Sequence, residues 1–288
     1  MQTIIDTFND FMRYWTLASP KTQKEKLQAW MAYISSYPEL LEKQINNYKE
    51  MGLNWMEFAE RVLFKVEDYI PLMKKARDNA FEICNNVYEQ ATRRIKLNLD
   101  VIFVLYVGIG CGAGWATLYK GHPACLIGLE KIAELGWWTK DKLEGLIAHE
   151  LGHLAHMMWR NGFRSFEEEE KDPTFLLYSE GFAKRCEHLI LGRETWNEAD
   201  DENWVSWCRK HIKFLAKEYL SRIEKAAPVN DFFGDWLNIR GRRQTGYFLG
   251  RELILWLERS NSLESIAVLS PDEVREKTIR FLRFIAKN

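Results

Sequence analysis

His149-Glu150-Leu151-Gly152-His153 places two histidines four residues apart, with a carboxylate directly after the first of them. On an α-helix, residues i and i+4 lie about 40° apart around the axis, so both imidazoles project from one face. Two rings on one face can bind a single zinc ion at about 2.0–2.1 Å each. Glu150 lies about 100° further round, where it can take a proton from a water beside the metal. The pentapeptide therefore predicts a metal site carried by a helix.

The residues around this pentapeptide predict a helix that packs in the core. Thr139 is a candidate N-cap, and Gly162 is a candidate terminator. Between them, apolar residues recur at helical spacing, at Leu143, Leu146, Ile147, Leu151 and Leu154. A glycine inside a helix costs about 1 kcal/mol relative to alanine, so Gly152 indicates that another element approaches closely there.

Two histidines do not hold catalytic zinc, which takes a third protein ligand and leaves a position open for water. A third histidine six residues after His153 would complete one known arrangement, but Trp159 stands there. His156, one turn beyond His153, is expected to be a surface histidine or a partner of the site rather than a ligand. The ligand must then come from another segment.

Glu180 is the best candidate for the third ligand. It opens a second stretch with helical apolar spacing, which ends at Gly192. A helix packed against the first one can present this carboxylate to the ion. The predicted set is one Zn²⁺ held by His149, His153 and Glu180, a combination that keeps a bound water acidic near neutral pH.

Glu180 stands in Ser179-Glu180-Gly181-Phe182-Ala183. Together with the HExxH pentapeptide, this segment resembles the HExxH and Asn-Glu-Gly-Phe-Ala pairing of the gluzincin aminopeptidases. The resemblance implies a zinc metallopeptidase in which Glu150 is the general base. Glu187, seven residues after Glu180, matches a glutamate found there and is a candidate partner for a zinc-bound histidine. An ordinary solvated helix charge is the alternative for Glu187.

The resemblance does not extend to aminopeptidase activity. The Gly-x-Met-x-Asn segment that anchors a substrate amino terminus in those enzymes has no match in this chain. Over roughly residues 100–260, the chain is more similar to a bacterial family of predicted zinc-dependent proteases. In that family a strand and a glycine-rich turn precede the HExxH helix, and a tyrosine-containing helix with glycines follows the third ligand.

Tyr247 matches the tyrosine of that last helix, within residues 244–251. The resemblance implies that its hydroxyl stabilises the oxyanion that forms when water attacks a carbonyl. His211 and Arg243 are alternative donors, and a packing role for Tyr247 is equally consistent with the sequence.

Two β-prone runs precede the HExxH helix, at residues 101–107 and 124–129. In gluzincins a strand comparable to the second run forms the edge of the sheet and pairs with an extended peptide. We therefore expect Leu126, Ile127 and Gly128 to bind the substrate backbone. A plain structural strand is the alternative.

Two other segments are not expected to carry a site. The glycine-rich turn at residues 108–114 follows a strand, but no Gly-Lys-Ser/Thr follows it, which argues against nucleotide binding. The acidic run at residues 167–170 is expected to be a solvated loop or the start of a helix.

Composition limits the class of protein and its partners. The 288 residues have 47% hydrophobic content, and 40 basic and 41 acidic residues give a net charge of −1. This balance argues against nucleic-acid and anionic-membrane partners. The chain has no apolar stretch of membrane-spanning length and no signal-peptide pattern after Met1. Five scattered cysteines are typical of free thiols in a reducing compartment, so we expect a cytoplasmic protein.

The expected architecture is mainly α with a small β-sheet (α+β), built on a gluzincin-like core. A helical N-terminal region over residues 1–97 precedes a catalytic region over 98–288, although the two may form one continuous domain. Apolar spacing predicts helices at residues 4–15, 21–36, 38–51, 55–64, 66–97, 201–226, 241–260 and 271–287. Residues 228–235 are the expected loop before the tyrosine helix.

Two functions from different classes are consistent with the sequence. The first is a zinc-dependent peptidase that acts on a peptide or protein substrate with Glu150 as the general base. The second is a non-catalytic helical domain in which a metal only ties two helices together. Structural zinc usually takes four cysteine-rich ligands, and Glu150 has no role in such a site. The peptidase is therefore the favoured hypothesis.

Overall fold

The computed structural model describes residues 1–18, 22–163, 165–199 and 201–287. Over these residues the protein is mainly helical and contains a small sheet, so the predicted α+β class is confirmed. The strands are β1 Gln2–Asp6, β2 Val101–Tyr106, β3 Gly114–Tyr119 and β4 His122–Gly128. The helices are α1 Phe8–Ala18, α2 Gln23–Ile34, α3 Pro38–Glu50, α4 Trp55–Arg94, α5 Leu129–Leu135, α6 Lys140–Arg160, α7 Phe166–Glu169, α8 Pro173–Leu191, α9 Trp204–Lys225, α10 Thr245–Leu257, α11 Leu263–Ala267 and α12 Pro271–Lys287. Among the described helices, none has the length and apolarity required to cross a bilayer.

The chain forms two compact units. The first comprises Met1–Thr92 and Asn98–Glu150, and the second comprises Arg93–Leu97 and Leu151–Asn288. The sheet belongs to the same unit as the N-terminal helices. The boundary falls inside α6, directly after Glu150.

The sheet of the first unit has the strand order β1-β2-β4-β3. β1 and β4 run parallel to β2 on either side of it, and β3 runs antiparallel to β4. The prediction of a helix starting at residue 4 was wrong, because Thr3-Ile4-Ile5 pairs with Ile102-Phe103-Val104. Branched side chains pack well in a strand, and this pairing joins segments about a hundred residues apart.

The prediction that Leu126, Ile127 and Gly128 form an exposed edge was also wrong. β4 lies inside the sheet, where these three residues pair with β2, and Leu126 and Ile127 also pair with β3. Their backbone groups therefore serve the sheet and are not open to a peptide. The strand at this side of the sheet is β3, and no further strand pairs with it in the described part of the chain.

The glycine-rich turn after β2 is held from inside by a buried carboxylate. Glu130 is 2% exposed, and it accepts hydrogen bonds from the backbone N–H groups of Gly108 at 2.7 Å and Gly110 at 3.1 Å. The amide oxygen of Gln44 accepts from Ile109 N–H at 2.9 Å. These amides could cradle an anion in other proteins, but here a side chain of the protein occupies them.

A single long helix crosses the first unit. α4 has 40 residues and continues through Pro71. The sequence predicts two helices in its place, at residues 55–64 and 66–97, but the structure shows no break near residue 65. It buries a row of small and branched residues, among them Ala59, Leu63, Val66, Ala76, Ala80 and Ala91. This continuous apolar face stabilises the helix over its whole length.

The second unit is built around α8, which packs most extensively against α10. α8 begins at Pro173 and is capped by Asp172, whose carboxylate accepts from Thr174 N–H at 2.7 Å. It ends at Gly192, which has a left-handed φ of 70°, as the sequence predicts. The predicted start at Glu180 was wrong, and this residue lies in the middle of the helix.

Candidate metal centre

The HExxH pentapeptide lies inside α6, in agreement with the sequence prediction. The predicted apolar stripe is buried, with Leu143, Ile147, Leu151 and Leu154 all 0% exposed. His149 and His153 are each 8% exposed and one helical turn apart. The packing of the apolar stripe therefore fixes the helix face from which both imidazoles project.

Gly152 allows α8 to approach this helix closely. A Cβ atom at Gly152 would lie 2.8 Å from the carbonyl oxygen and 2.9 Å from the Cα of Ala183. Real Cβ atoms are essentially never found at such distances from backbone atoms. The steric requirement predicted for Gly152 is confirmed, and the close approach brings the middle of α8 beside His153.

Glu180 lies on this part of α8, and its carboxylate Oε2 is 3.5 Å from His153 Nε2. His149, His153 and Glu180 each offer one ligand atom, and these three atoms all lie within 4.8 Å of one another. They form the one such group of three or more metal-ligand side chains found among the described residues.

The donor set fits zinc. It provides two imidazole nitrogens and one carboxylate oxygen, all on largely buried side chains. Two nitrogens and one oxygen form one of the known three-ligand sets of catalytic zinc, which leaves a fourth position open. A structural zinc site usually has a fourth protein ligand and is rich in cysteine. Within the described residues, no cysteine belongs to the group.

Glu150 is 6% exposed and lies against the start of β3, within the first unit. A Cβ atom at Gly114 would lie 2.4 Å from Glu150 Oε1 and 2.7 Å from its Cγ. The absence of a side chain at Gly114 therefore makes room for this carboxylate. The sequence assigns Gly114 only to the glycine-rich turn, although the β-prone run Trp115-Ala116-Thr117-Leu118-Tyr119 follows it directly.

Glu187 belongs to a buried ionic cluster. It is 0% exposed, and it accepts from the Thr195 hydroxyl at 2.5 Å and pairs with Lys184 Nζ at 2.6 Å. Lys184 also pairs with Glu198 at 2.7 Å. Burial lowers the pKa of Lys184, but the two carboxylates outweigh it and hold this pKa above its usual value. The alternative of a solvated helix charge at Glu187 was wrong, and its role beside a zinc-bound histidine stays a prediction.

The three candidate oxyanion donors have different surroundings within the second unit. Tyr247 is half-buried on α10, and its ring lies 5.8 Å from Lys184 Nζ. Lys184 lies on α8, one helical turn after Glu180. His211 stacks on Trp207 and donates its Nδ1–H to the carbonyl of that residue at 2.9 Å. The exposed Arg243 donates to the carbonyl of Asp235 at 3.1 Å. Of the three, only Tyr247 has a described contact with α8.

Glu170 was predicted to be part of a solvated acidic run. The run does form a short helix, α7, but Glu170 follows it and is half-buried. The Ser179 hydroxyl donates to Glu170 Oε1 at 2.6 Å. Desolvation raises the pKa of the Glu170 carboxyl to about 7, and charges at His153 and Glu180 act on it as well. Local sequence gives no signal for this position, because the contact with Ser179 depends on the folding of the segment.

His156 is neither a surface histidine nor a member of the ligand group. It is 0% exposed and stacks on Phe182, with ring centroids 4.2 Å apart. Its Nε2 lies 3.1 Å from the Tyr178 hydroxyl, which donates to the carbonyl of Ile266. Burial holds the pKa of His156 well below its usual value, so the ring is neutral near pH 7.

Because His188 on α8 is buried, we expect the folding stability of the protein to depend on pH under acidic conditions. Burial lowers its pKa from 6.5 to about 4, so the unfolded chain binds a proton that the folded protein does not bind between these values. This contribution to folding stability is fully present above pH 6.5 and is lost as the pH falls towards 4. We expect a loss of about 3 kcal/mol over this interval from His188 alone.

The variant His188→Gln isolates this effect, because glutamine keeps an amide donor for the Thr195 carbonyl but does not titrate. The free energy of unfolding is measured with urea at several pH values between 4 and 7.5. We expect the free energy of unfolding of the native protein, minus that of the variant, to decrease as the pH falls. A difference independent of pH would contradict the assigned shift.

Comparison with known proteins adds no assignment to this geometry. No protein-family model, no curated protein and no solved structure matches the chain.

Proposed function

We propose that this protein is a gluzincin-type zinc-dependent peptidase that hydrolyses peptide bonds. The observation that carries the proposal is the convergence of His149, His153 and Glu180, whose ligand atoms lie within 4.8 Å of one another. A bound zinc ion would polarise the scissile carbonyl and make an attacking water more acidic. One ion per chain is expected.

Glu150 is the general base of the proposed reaction. It directly follows a proposed ligand and is not itself a member of the ligand group, as the role of a general base beside a metal requires. The carboxylate would accept a proton from the attacking water and deliver it to the leaving amine.

Tyr247 is the proposed donor to the oxyanion. The cationic Lys184 lies beside its ring and fixes the tyrosine against α8. A neutral hydroxyl can donate to a developing negative charge without first losing a proton. Of the three candidates, only Tyr247 has a described contact with α8, the helix that carries Glu180.

The substrate is proposed to be a peptide or a protein, bound in an extended form along β3. An edge strand can bind any peptide backbone through its amide and carbonyl groups. Gly114 begins β3 and lies against Glu150, so a peptide paired with this strand would pass beside the base. β3 thus replaces Leu126, Ile127 and Gly128 of β4 in this role. Neither nucleic acid nor a membrane is part of the proposal, and the free cysteines are consistent with the cytoplasm.

Gly114→Ala tests the link between β3 and the base. The added methyl group would displace the Glu150 carboxylate, because side-chain atoms of Glu150 are the nearest obstruction to a Cβ at residue 114. Misplacement of a catalytic group by about 1 Å can cost about 10²-fold in rate, so we expect a loss of this order in kcat/KM. Zinc content and melting temperature should remain near those of the native protein. Full activity in the variant would contradict the proposed position of the base.

The function itself is tested with a mixed peptide library and the zinc-loaded full chain. Mass spectrometry of the products would show whether cleavage is internal or from one end. We expect cleavage that a chelator abolishes and added zinc restores. A chain that retains zinc and is destabilised by its removal, but cleaves nothing, would support the alternative of a structural metal site.

A further inference from the structure

The acidic run on and after α7 contains one carboxylate, that of Glu170, that forms no ion pair with a lysine or arginine among the described residues. Glu168 pairs with Lys171 at 2.5 Å, and Glu169 pairs with Arg160 at 2.7 Å. In the described part of the chain, neither lysine nor arginine pairs with Glu170. A half-buried carboxylate without a cation is costly to ionise, in line with the raised pKa of Glu170, and a cation bound beside it would favour the ionised form.

The position of Glu170 is fixed on two sides. Its backbone N–H donates to the carbonyl of Phe166 at 3.0 Å, and the ring of Phe166 meets that of His153 edge-on, with centroids 6.2 Å apart. Its side chain accepts from Ser179, the residue directly before Glu180. Phe166 contacts the proposed ligand His153, and Ser179 directly precedes the proposed ligand Glu180. The charges of both ligands also act on the Glu170 carboxylate, which therefore lies near the proposed site.

Among the described residues, only one oxygen of this carboxylate has a hydrogen-bond partner. Ser179 binds Oε1, whereas Oε2 makes no described hydrogen bond, and the side chain is only partly buried. Glu170 is not a member of the group whose ligand atoms lie within 4.8 Å of one another. Its chemistry therefore favours a role other than metal binding.

We propose that Glu170 binds a cationic group of the substrate, an ammonium or a guanidinium, next to the zinc-binding residues. This inference rests on the proposed peptidase function and specifies its substrate class. The cation is either the free amino terminus of a peptide or a lysine or arginine side chain. Both sources offer charged N–H donors to Oε2, and binding would place a positive charge beside a carboxylate that has no lysine or arginine partner among the described residues.

The test measures peptide binding to zinc-loaded Glu150→Gln protein, which is expected to bind substrate without cleaving it. One peptide pair differs only by acetylation of the amino terminus. A second pair is acetylated throughout and differs by lysine against norleucine. A charged hydrogen bond contributes about 1.5–3 kcal/mol, so the cationic member of one pair should bind about tenfold to a hundredfold more tightly. The pair that shows the preference identifies the source of the cation.

The double variant Glu150→Gln/Glu170→Gln should lose this preference and keep its affinity for the neutral peptides. Glutamine retains a partner for Ser179, so a merely structural role of Glu170 would leave the preference intact. Glu150→Gln/Glu168→Gln is the matched control, because it removes an exposed charge from α7, and it should keep the preference.

Three outcomes would overturn the inference: a preference that persists without Glu170, no preference in either pair, or no peptide binding. The proposed function fails separately. If native protein cleaves no peptide although the Glu170-dependent preference is present, the cation site stands and the peptidase function is wrong. If cleavage depends on Glu150 but no charge preference exists, only the cation site is wrong.

Discussion

Glu150→Gln should reduce kcat by about 10²–10⁴-fold on any peptide that the native protein cleaves. The amide has nearly the size and shape of the carboxylate but cannot accept the proton of the attacking water. Because Glu150 is not one of the grouped ligands, zinc content should be unchanged. The melting temperature should also stay close to that of the native protein, since the substitution preserves packing.

Glu144→Gln is the matched control for this variant. It makes the same chemical change on the same helix, six residues earlier, and should leave kcat unchanged. Steady-state rates, zinc content and thermal unfolding are measured on all three proteins. Undiminished cleavage by Glu150→Gln would mean that the activity comes from another site or from a contaminant.

Gly181→Ala should lower the folding stability of the second unit substantially. A Cβ atom at this position would lie 2.2 Å from the carbonyl carbon and oxygen of Gly250, so α8 and α10 would have to separate. Both obstructing atoms belong to the backbone and cannot rotate away. Alanine gains about 1 kcal/mol in helix propensity, but overpacking of a rigid contact costs typically 1–3 kcal/mol and sometimes more.

Because the obstruction is rigid backbone, we take the upper end of this cost, about 3 kcal/mol, and after the gain in helix propensity expect a net decrease of about 2 kcal/mol in the free energy of unfolding. Because Glu180 precedes Gly181 on α8, zinc affinity should fall as well. Gly162→Ala is the control, since its Cβ would find its nearest neighbour at 3.4 Å, an ordinary contact. Equal stability of the two variants in urea titrations would contradict the close crossing of α8 and α10.

The helix face that carries His149 and His153 was predictable because its signals are local. The four-residue spacing of His149 and His153 and the apolar stripe around them define one helix face without knowledge of the rest of the fold. Gly152 carried further information, since an unfavourable residue inside a helix indicates a steric requirement. The structure places Ala183 at the predicted contact.

The sheet was only partly predictable because strand pairing depends on distant segments. β1 resembles the start of a helix until its partner, about a hundred residues later, is known. β3 follows a glycine-rich turn and was not recognised, so β4 was wrongly taken as the edge of the sheet. Because β3 was not recognised, the peptide-binding edge was predicted at β4 and not at β3.

The charged residues around the site were the least predictable. Glu130, Glu170 and Glu187 have the local sequence appearance of solvated charges, yet all three are buried or half-buried. Their partners are the glycine-rich turn, Ser179 and the Lys184 cluster, which come from other elements or other turns of a helix. Periodicity describes which face of a helix is apolar, but it does not show which buried carboxylate has a partner.

Metal analysis of the purified full chain tests the central claim most directly. We expect about one equivalent of zinc in the native protein, and His149→Ala and Glu180→Ala should each lose most of it. His122→Ala and Glu168→Ala remove the same types of side chain from exposed positions and should retain the full equivalent. Zinc retained in full by Glu180→Ala, or absent from native protein supplied with zinc, would contradict the proposed metal centre.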